Sequence, residues 1–424
     1  MSDGPPPGQA LTVHEAQAHL RGLELFGMRF GLERMRRLLK VLGDPQQRYG
    51  SVHVVGTNGK SSTVRMIAAL LAGHGLRTGA YLSPHLVRFG ERIRIDGADL
   101  GDAAFAAAVT RAIAAAAQVD AGAPDDDQVT QFELLTAAAL DELSRARITV
   151  AVVEAGLGGR YDATNVLPST VQVLTNVALE HTRWLGSTIT AIAEEKLDVV
   201  RPGGTLVLGG GLHPEAHAVA RRVCGERGAL LTVAPDEPPV PVDLVAGGSH
   251  QRRNFPLACA AAAAYLDRDL DPGVVREAAA TTHVPGRWER VGTQPETILD
   301  GAHNPEAFVA LGQTLRETLN GRRLVVALSI LDDKDAGAML AQLLPLCAGV
   351  VVTQCAHPRA RPAADLAQLA AQPAGPEVRL ESDPRRALAL ARVLAGSGGL
   401  VLATGSLYLI ADLMRPDGLK ASTL

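Results

Sequence analysis

The stretch His53–Thr63, HVVGTNGKSST, constrains this chain more than any other. Ser51–Val55 is a short β-rich run, and Val64, Ile67, Ala68 and Leu71 then recur at the spacing of an amphipathic helix. Between them, Gly56 and Gly59 let the backbone curl so that successive N–H groups and a helix N-terminus converge on an anion. Lys60 adds a point charge and Ser61 a hydroxyl able to reach magnesium. Val54 stands where the phosphate-loop pattern G-x-x-x-x-G-K-[ST] has its first glycine. The ordinary alternative is a glycine-rich strand-to-helix turn, but strand, glycine turn and helix together predict nucleotide binding.

At 424 residues the chain is long enough for two or three domains, each with its own core. Hydrophobic residues make up 47% and aromatics only 3%, so Ala, Leu and Val must build those cores. A formal net charge of −4 gives no electrostatic reason to expect nucleic acid. Cys224, Cys259, Cys347 and Cys355 form no C-x-x-C pair, which suits a reducing compartment. Residues 1–10 read as a disordered tail, and no apolar run reaches membrane-spanning length. The expectation is a soluble cytoplasmic protein, most simply a monomer.

Along the chain, residues 11–42 have a helical pattern, and their arginines suit a solvated helix face. Arg77–Leu82 suits a second strand, and SPHLVRFGERIRI, with Ser83 before Pro84, suits a surface loop. Residues 99–119 are helical by composition, and the acidic PDDDQ at 124–128 suits a solvated loop. Thr130 with Glu133 predicts a capping box at the start of a helix reaching Arg145. Ile148–Val153 is the continuous apolar run of a strand covered on both faces, and it ends in Glu154 before the glycine-rich AGLGGRYDATN. A carboxylate there is placed either to hold magnesium or to mark the strand's exit into solvent. His181 alone carries no assignment. Lys196 shares a helical stripe with Ile189, Ile192, Ala193, Val199 and Val200, which turns its ammonium inward unless its stem reaches back to water.

Further strands are expected at Leu206–Gly211 and Ala229–Val233, then helices over HQRRNFPLACAAAAAYL and after Pro272. HVPGRWERVG, at 283–292, marks a domain boundary. Beyond it, runs at Thr297–Leu299, Leu324–Leu328, Gly349–Thr353 and Gly399–Ala403 alternate with helical segments, as in a smaller parallel α/β domain. Asn304 suits an N-cap and Pro305 the first helical turn, so Asp300 and His303 fall at a strand's carboxyl end, the functional edge of such a sheet.

Ten separated stretches then agree. RFGLERM, GTNGKSS, YLSPHLVRFGERI, EAGLGGRYDATN, LEHTRWLG, EEKLDVVRPG, VPGRWE, DGAHNP, LDDKD and TGSLYL occur in the order seen in folylpolyglutamate synthases and dihydrofolate synthases, which the chain resembles from about Phe30 to Leu409. GTNGK and DGAHNP belong to the wider Mur-ligase superfamily; GLGGRYDATN, SPHLV and RFGLER point to the folate branch. The resemblance implies an α/β protein: a P-loop-type parallel-sheet ATPase domain over 11–286, then a smaller Rossmann-like domain over 287–424. It implies an ATP-dependent ligase that makes an acyl phosphate of dihydropteroate or a folyl glutamate and passes it to L-glutamate.

The resemblance also implies site residues. Thr57, Asn58, Gly59, Lys60 and Ser61 would cradle the ATP phosphates, with Asn254, Arg287 and Asp300 at further nucleotide positions. Ser83, Glu154, His181 and Lys196 match metal ligands, for two magnesium ions if Lys196 is carbamylated. His303, with Lys60 and Lys196, falls near the reacting groups. Phe132, Asp162 and Ala163 resemble pterin-binding positions, Arg29 and Phe30 add to them, and Ser406 and Tyr408 lie in a binding motif of the second domain. Because the ATP positions span both domains, domain motion is expected. Two departures stand out. Many folate enzymes have glycine where Ser61 is, leaving Ser61 or Ser62 as the hydroxyl nearest the metal. Glu180 replaces the usual aspartate before His181, moving that carboxylate by about 1.5 Å.

Other readings are a synthase that only extends folates, a Mur-type ligase acting on a nucleotide-linked peptide, and a nucleotide-dependent switch. The second lacks an early uridine-nucleotide domain, and the third lacks an N-K-x-D run for guanine.

Overall fold

The computed structural model describes residues 11–23, 31–121, 127–371, 373 and 375–416. Arg29 and Phe30, the expected tail over residues 1–10, and most of PDDDQ lie outside them. The chain divides into two compact units. The first comprises residues 1–85, 89–243 and 253–282; the second comprises 86–88, 244–252 and 283–424.

The first unit holds eight strands: β1 Gly50–Val55, β2 Thr78–Tyr81, β3 Ile93–Ile95, β4 Ala98–Asp99, β5 Val150–Glu154, β6 Val171–Leu174, β7 Thr205–Leu208 and β8 Leu230–Val233. Their order is β4-β3-β2-β5-β1-β6-β7-β8, parallel from β2 to β8, with β3 and β4 antiparallel at one edge. β1 lies between β5 and β6, with Val54 opposite Glu154 and Val55 opposite Leu174. That register brings the carboxyl ends of three strands together beside the glycine turn, at the point where the strand order reverses. The central strands are buried on both faces; β5 is an apolar run up to Glu154, while β1 and β6 also bury Ser51, His53 and Gln172. The face that carries Val153 and Val55 packs under Leu38, Phe105, Leu134 and Leu140 toward β2 and under Ile192, Leu197, Val200 and Val219 toward β7.

The helix Gln131–Arg145 carries the expected capping box, with Thr130 and Glu133 bonding each other's backbone N–H groups. Three other expectations are corrected. The segment 11–42 contains two helices, Val13–Gly22 and Glu33–Val41. Arg34 is buried against Glu133 and Asp127 and is not on a solvated face; the burial is tolerable because both carboxylates answer its charge. SPHLVRFGERIRI is largely buried, since Arg92 Nε donates to His85 Nδ1 at 2.9 Å and the His85 ring packs on Phe89. Paired in this way, polar groups enter a core without an orphaned donor.

The second unit contains β9 Glu289–Thr293, β10 Glu296–Leu299, β11 Leu324–Leu328, β12 Gly349–Val352, β13 Glu377–Leu380 and β14 Leu400–Thr404, in the order β13-β12-β11-β14-β10-β9. All pairings are parallel except that of β9 with β10. The four expected strands form its centre. The two edges, β9 and β13, were not expected: ERVGT and EVRL are largely exposed and carry no apolar run. Asn304 caps the helix Pro305–Thr318 as expected.

Thr130→Ala should lower the urea midpoint of the first unit by an amount equivalent to about 1 kcal/mol, the usual value of a lost N-cap. An unchanged midpoint would show that the capping box is not holding the helix.

Candidate functional site

The turn after β1 is shaped by β6. Thr57 N–H and Asn58 N–H both donate to Asn176 Oδ1, at 3.2 and 2.8 Å, and Thr57 N–H also reaches the Asn176 carbonyl. Thr175 Oγ1 donates to the Asn58 carbonyl at 2.6 Å. Gly56 lies so close that a Cβ would come within 1.8 Å of Thr175 Oγ1. Gly59, at φ +83°, would push a Cβ to 2.7 Å from Asn254 Oδ1, which places Asn254 against the turn. Neither Thr175 nor Asn176 was singled out from the sequence; Thr-Asn directly after a buried strand was the signal available.

Two ammonium groups meet one carbonyl here. Lys60 Nζ donates to Gly56 O at 3.1 Å and Thr57 O at 3.0 Å, and Lys196 Nζ donates to the same Gly56 O at 2.9 Å. Lys196 is buried, the inward of the two placements that its helical stripe left open. Burial, and then the charge of Lys60, push its ammonium down to about 7, against the partial support of Glu180, Asp162 and Glu195. A lysine in this state is an available amine near neutral pH.

Glu154, at the end of β5, is buried. Its Oε1 accepts from Ser61 Oγ at 3.0 Å and its Oε2 from Ser83 N–H at 3.1 Å. Of the two hydroxyls left open by the sequence, that of Ser61 is on the carboxylate. Oxygens on adjacent corners of a magnesium octahedron stand about 2.9 Å apart, so the Ser61 and Glu154 oxygens fit one edge of such a site. Among the described residues no group of three or more His, Cys, Asp or Glu could hold a metal. That suits magnesium, which keeps water and phosphate oxygens around one or two carboxylates. His181 follows β6, has φ +52° and a side chain 43% exposed, and its Nε2 is 4.0 Å from Glu180 Oε1.

The AGLGGRYDATN loop is built around Asp162. Oδ2 accepts from Leu157 N–H at 2.7 Å, and Oδ1 from the N–H and hydroxyl of Thr164. Thr164 Oγ1 is in turn 2.8 Å from His53 Nε2. Since the threonine proton goes to the carboxylate, His53 must donate through Nε2–H, leaving its buried Nδ1 without a partner among the described residues. His53 on β1 therefore ties the phosphate-loop strand to the loop holding Asp162 and the buried Ala163, a link the sequence did not reveal. Phe132 closes the same corner: its ring bars any side chain at Gly156 and stands 6.2 Å from that of Tyr81.

In the second unit, Asp300 is buried and accepts from Trp288 N–H and Ala302 N–H, both at 2.8 Å. The Arg287 guanidinium lies over Gly301, where a Cβ would meet it at 2.2 Å. His303 Nδ1 is 2.8 Å from the Gly301 carbonyl, which fixes the proton on Nδ1 and turns Nε2 into the basic edge. Ser406 is buried and caps the helix Leu407–Met414, accepting from Tyr408 N–H at 3.1 Å. The Tyr408 ring packs on His357 with centroids 3.9 Å apart.

Residues 286–407 match the family described as Mur ligase, glutamate ligase domain. The chain is 35% identical over 405 residues to a dihydrofolate synthase/folylpolyglutamate synthase of Mycobacterium tuberculosis, covering 86% of itself and 82% of that protein. It is 34% identical over 427 residues to a probable bifunctional folylpolyglutamate synthase/dihydropteroate synthase of Haloferax volcanii, and spans about half of that longer relative, 50% of its length against 95% of its own. Among solved structures, Mycobacterium tuberculosis folylpolyglutamate synthase complexed with ADP superposes with a TM-score of 0.87 at 33% identity, covering 95% of this chain and 97% of that one. A bifunctional folylpolyglutamate synthase/dihydrofolate synthase with Mn, AMPPNP and L-glutamate bound gives 0.83 at 30% identity, covering 97% and 99%.

Gly56→Ala should leave the far-ultraviolet circular dichroism unchanged while weakening ADP binding at least roughly tenfold by calorimetry, because the turn must move off Thr175. Unchanged ADP affinity would count against this turn as the nucleotide cradle. His53 gives a pH test. Burial holds its imidazole down to about 3, so between about 3 and 6.5 the unfolded chain binds a proton that the folded one does not. Stability should fall as pH drops through that window, and more shallowly in His53→Gln. An equal loss of stability between pH 7 and 4.5 in both proteins, measured by urea titration, would overturn this.

Proposed function

The chain belongs to the dihydrofolate synthase/folylpolyglutamate synthase family, and on that premise we propose that it is an ATP-dependent ligase joining L-glutamate to dihydropteroate and to the glutamate tail of reduced folates. The observation carrying the reading is the junction at Gly56. There a glycine turn, two lysine ammonium groups and the Ser61–Glu154 pair stand together at the carboxyl ends of β1 and β5.

A carboxylate is inert to amines until one of its oxygens can leave. Transfer of the terminal phosphoryl group of ATP to that oxygen gives ADP and an acyl phosphate; the glutamate amine then attacks the carbonyl carbon, losing a proton, and inorganic phosphate leaves. Most of what phosphoryl transfer asks of a protein is positioning and positive charge. The turn Thr57–Gly59 positions the phosphates, Lys60 supplies charge, and Asn254 packs beside Gly59. Magnesium, held by Glu154 and Ser61 with Ser83 and His181 in further positions, would supply charge neutralisation on the phosphate oxygens. In the second unit, Asp300 fixes the 286–302 backbone, Arg287 presents its guanidinium beside it, and His303 offers Nε2 toward the glutamate side.

Lys196 completes the proposal. A buried amine held to about 7 is in part neutral at physiological pH and can add carbon dioxide, releasing a proton. The resulting carbamate would exchange a repelled cation beside Lys60 for an anion able to share a second magnesium. Phe132, Asp162 and Ala163 form the folate side, and Ser406 and Tyr408 belong to the second unit's binding motif. The boundary near residue 286, a monomeric state, the cytoplasm as location and small molecules as the sole partners are part of the same reading. No described helix is long and apolar enough to cross a membrane.

One observation favours a second reading, an enzyme that only extends folates. Asp162 already accepts from Leu157, Thr164 and the Gly156 backbone, which fills both oxygens and leaves no acceptor for a pterin ring unless the loop shifts.

ADP release measured with ATP, L-glutamate and either dihydropteroate or tetrahydrofolate separates these readings. Turnover with both acceptors is expected; turnover with the folate alone would select the second reading, and release independent of either acceptor would sink both. Lys196→Ala should fold normally yet lose on the order of 10²-fold in turnover, with partial recovery on adding short-chain carboxylates. Full activity without any added carboxylate would remove the carbamate from the proposal.

A further inference from the structure

Apart from the reacting groups, the first unit carries a depression of about 360 Å³ whose wall includes Arg36, Arg160, Tyr161, Asp198, Arg201 and Arg227. Four guanidinium groups therefore face one lining carboxylate. Asp198 is already taken: Arg227 Nη2 donates to its Oδ1 at 2.6 Å, and Arg160 Nε stands 3.7 Å from its Oδ2 and 3.8 Å from Glu195 Oε2, outside the lining. Arg36 has Glu33 at 3.9 Å as its ion-pair partner, both side chains being exposed. Arg201 pairs with no carboxylate among the described residues. Its Nε donates to the Leu167 carbonyl at 3.1 Å and its Nη2 to Asn165 O and Oδ1 at 2.7 and 2.8 Å. Those bonds hold the guanidinium in place without answering its charge.

Like charges collected in a partly desolvated hollow repel, and a bound anion relieves them. Burial, and then the charge of Arg227, hold the Arg201 guanidinium below its ordinary value, with Asp198 offsetting part of this and Arg36 adding to it. Arginine is also the residue whose fork matches carboxylate and phosphate oxygens in two-point fashion. The volume lies at the small end of ligand pockets and exceeds what one phosphate needs. We propose that this arginine-lined depression binds a small polyanion, a molecule carrying two or more carboxylate or phosphate groups, at a site separate from the phosphate loop. The proposal does not rest on the ligase reading.

The test uses the full chain saturated with ADP in magnesium-free buffer, so that the phosphate loop is occupied and neither probe gives heat by chelating the metal. Tripolyphosphate and citrate are titrated separately by calorimetry at low and physiological salt. Saturable binding of at least one probe is expected, weaker at higher salt. Tripolyphosphate alone would assign the site to phosphates, citrate alone to carboxylates, and both to polyanions in general. Arg36→Glu, on an exposed side chain, and Arg160→Gln should each weaken that binding roughly tenfold while leaving ADP affinity unchanged. Absence of saturable heat with both probes up to millimolar concentration overturns the proposal. So does binding that neither substitution alters, since the anion would then sit elsewhere.

Discussion

Gly56 is the position on which the first unit's chemistry depends. No side chain fits there, because Thr175 Oγ1 occupies the space a Cβ would enter. Its carbonyl oxygen is where Lys60 and Lys196 meet. Both facts follow from the sheet. β1 is hydrogen-bonded between β5 and β6, so the residues leaving those strands, Glu154 on one side and Thr175–Asn176 on the other, flank the turn. The register therefore sets the site before any ligand is considered, and the glycine is what allows β6 to approach closely enough to hold the turn.

The charges around that carbonyl explain one another. Two ammonium groups sharing one oxygen is an unfavourable arrangement, and the protein offsets it with the nearby Glu180, Asp162 and Glu195 and by letting Lys196 lose its proton readily. Glu154 stands at the same edge of the sheet, where it accepts from the Ser61 hydroxyl and the Ser83 N–H. What results is a local excess of positive potential at a helix N-terminus, the environment that a chain of phosphates stabilises. In these terms a serine at position 61 is not neutral. Its hydroxyl donates to one oxygen of Glu154 while the Ser83 N–H donates to the other, so a glycine there would remove one of the bonds that orient the acid.

Much of this was legible in the sequence for identifiable reasons. β5, β11, β12 and β14 are apolar runs, the cap at Thr130 has its Glu133 partner three residues on, and helical spacing puts Lys196 on the apolar stripe, which left burial or a stem reaching to water as its two placements. Edges and buried polar pairs were not legible. β9 and β13 are short and largely exposed, so no hydrophobic pattern marks them. Arg34 with Glu133, and His85 with Arg92, are separated in sequence or lie in stretches whose composition resembles a surface, and only the partner makes their burial tolerable. The clasp of Asn176 on the turn and the tie from His53 through Thr164 to Asp162 join residues more than a hundred positions apart, a relation that a single sequence does not encode locally.

The acids of the two units share a further property that bears on how their roles can be separated. Glu154 accepts from the Ser83 N–H, and Asp300 from the Trp288 and Ala302 N–H groups, so each carboxylate builds backbone as well as presenting charge. Replacing either acid by its amide is then not a change of charge alone. An amide keeps one acceptor oxygen and points an NH₂ at a site where a backbone N–H already donates, so one of the two bonds at Asp300 must break or the loop must move. The burial of both residues makes that cost larger than it would be in water. Loss of activity in such a variant therefore does not by itself distinguish a ligand-binding carboxylate from a structural one. The distinction lies in whether the loop is still in place, and at Asp300 the N–H groups of Trp288 and Ala302 are the atoms whose protection from hydrogen exchange reports it.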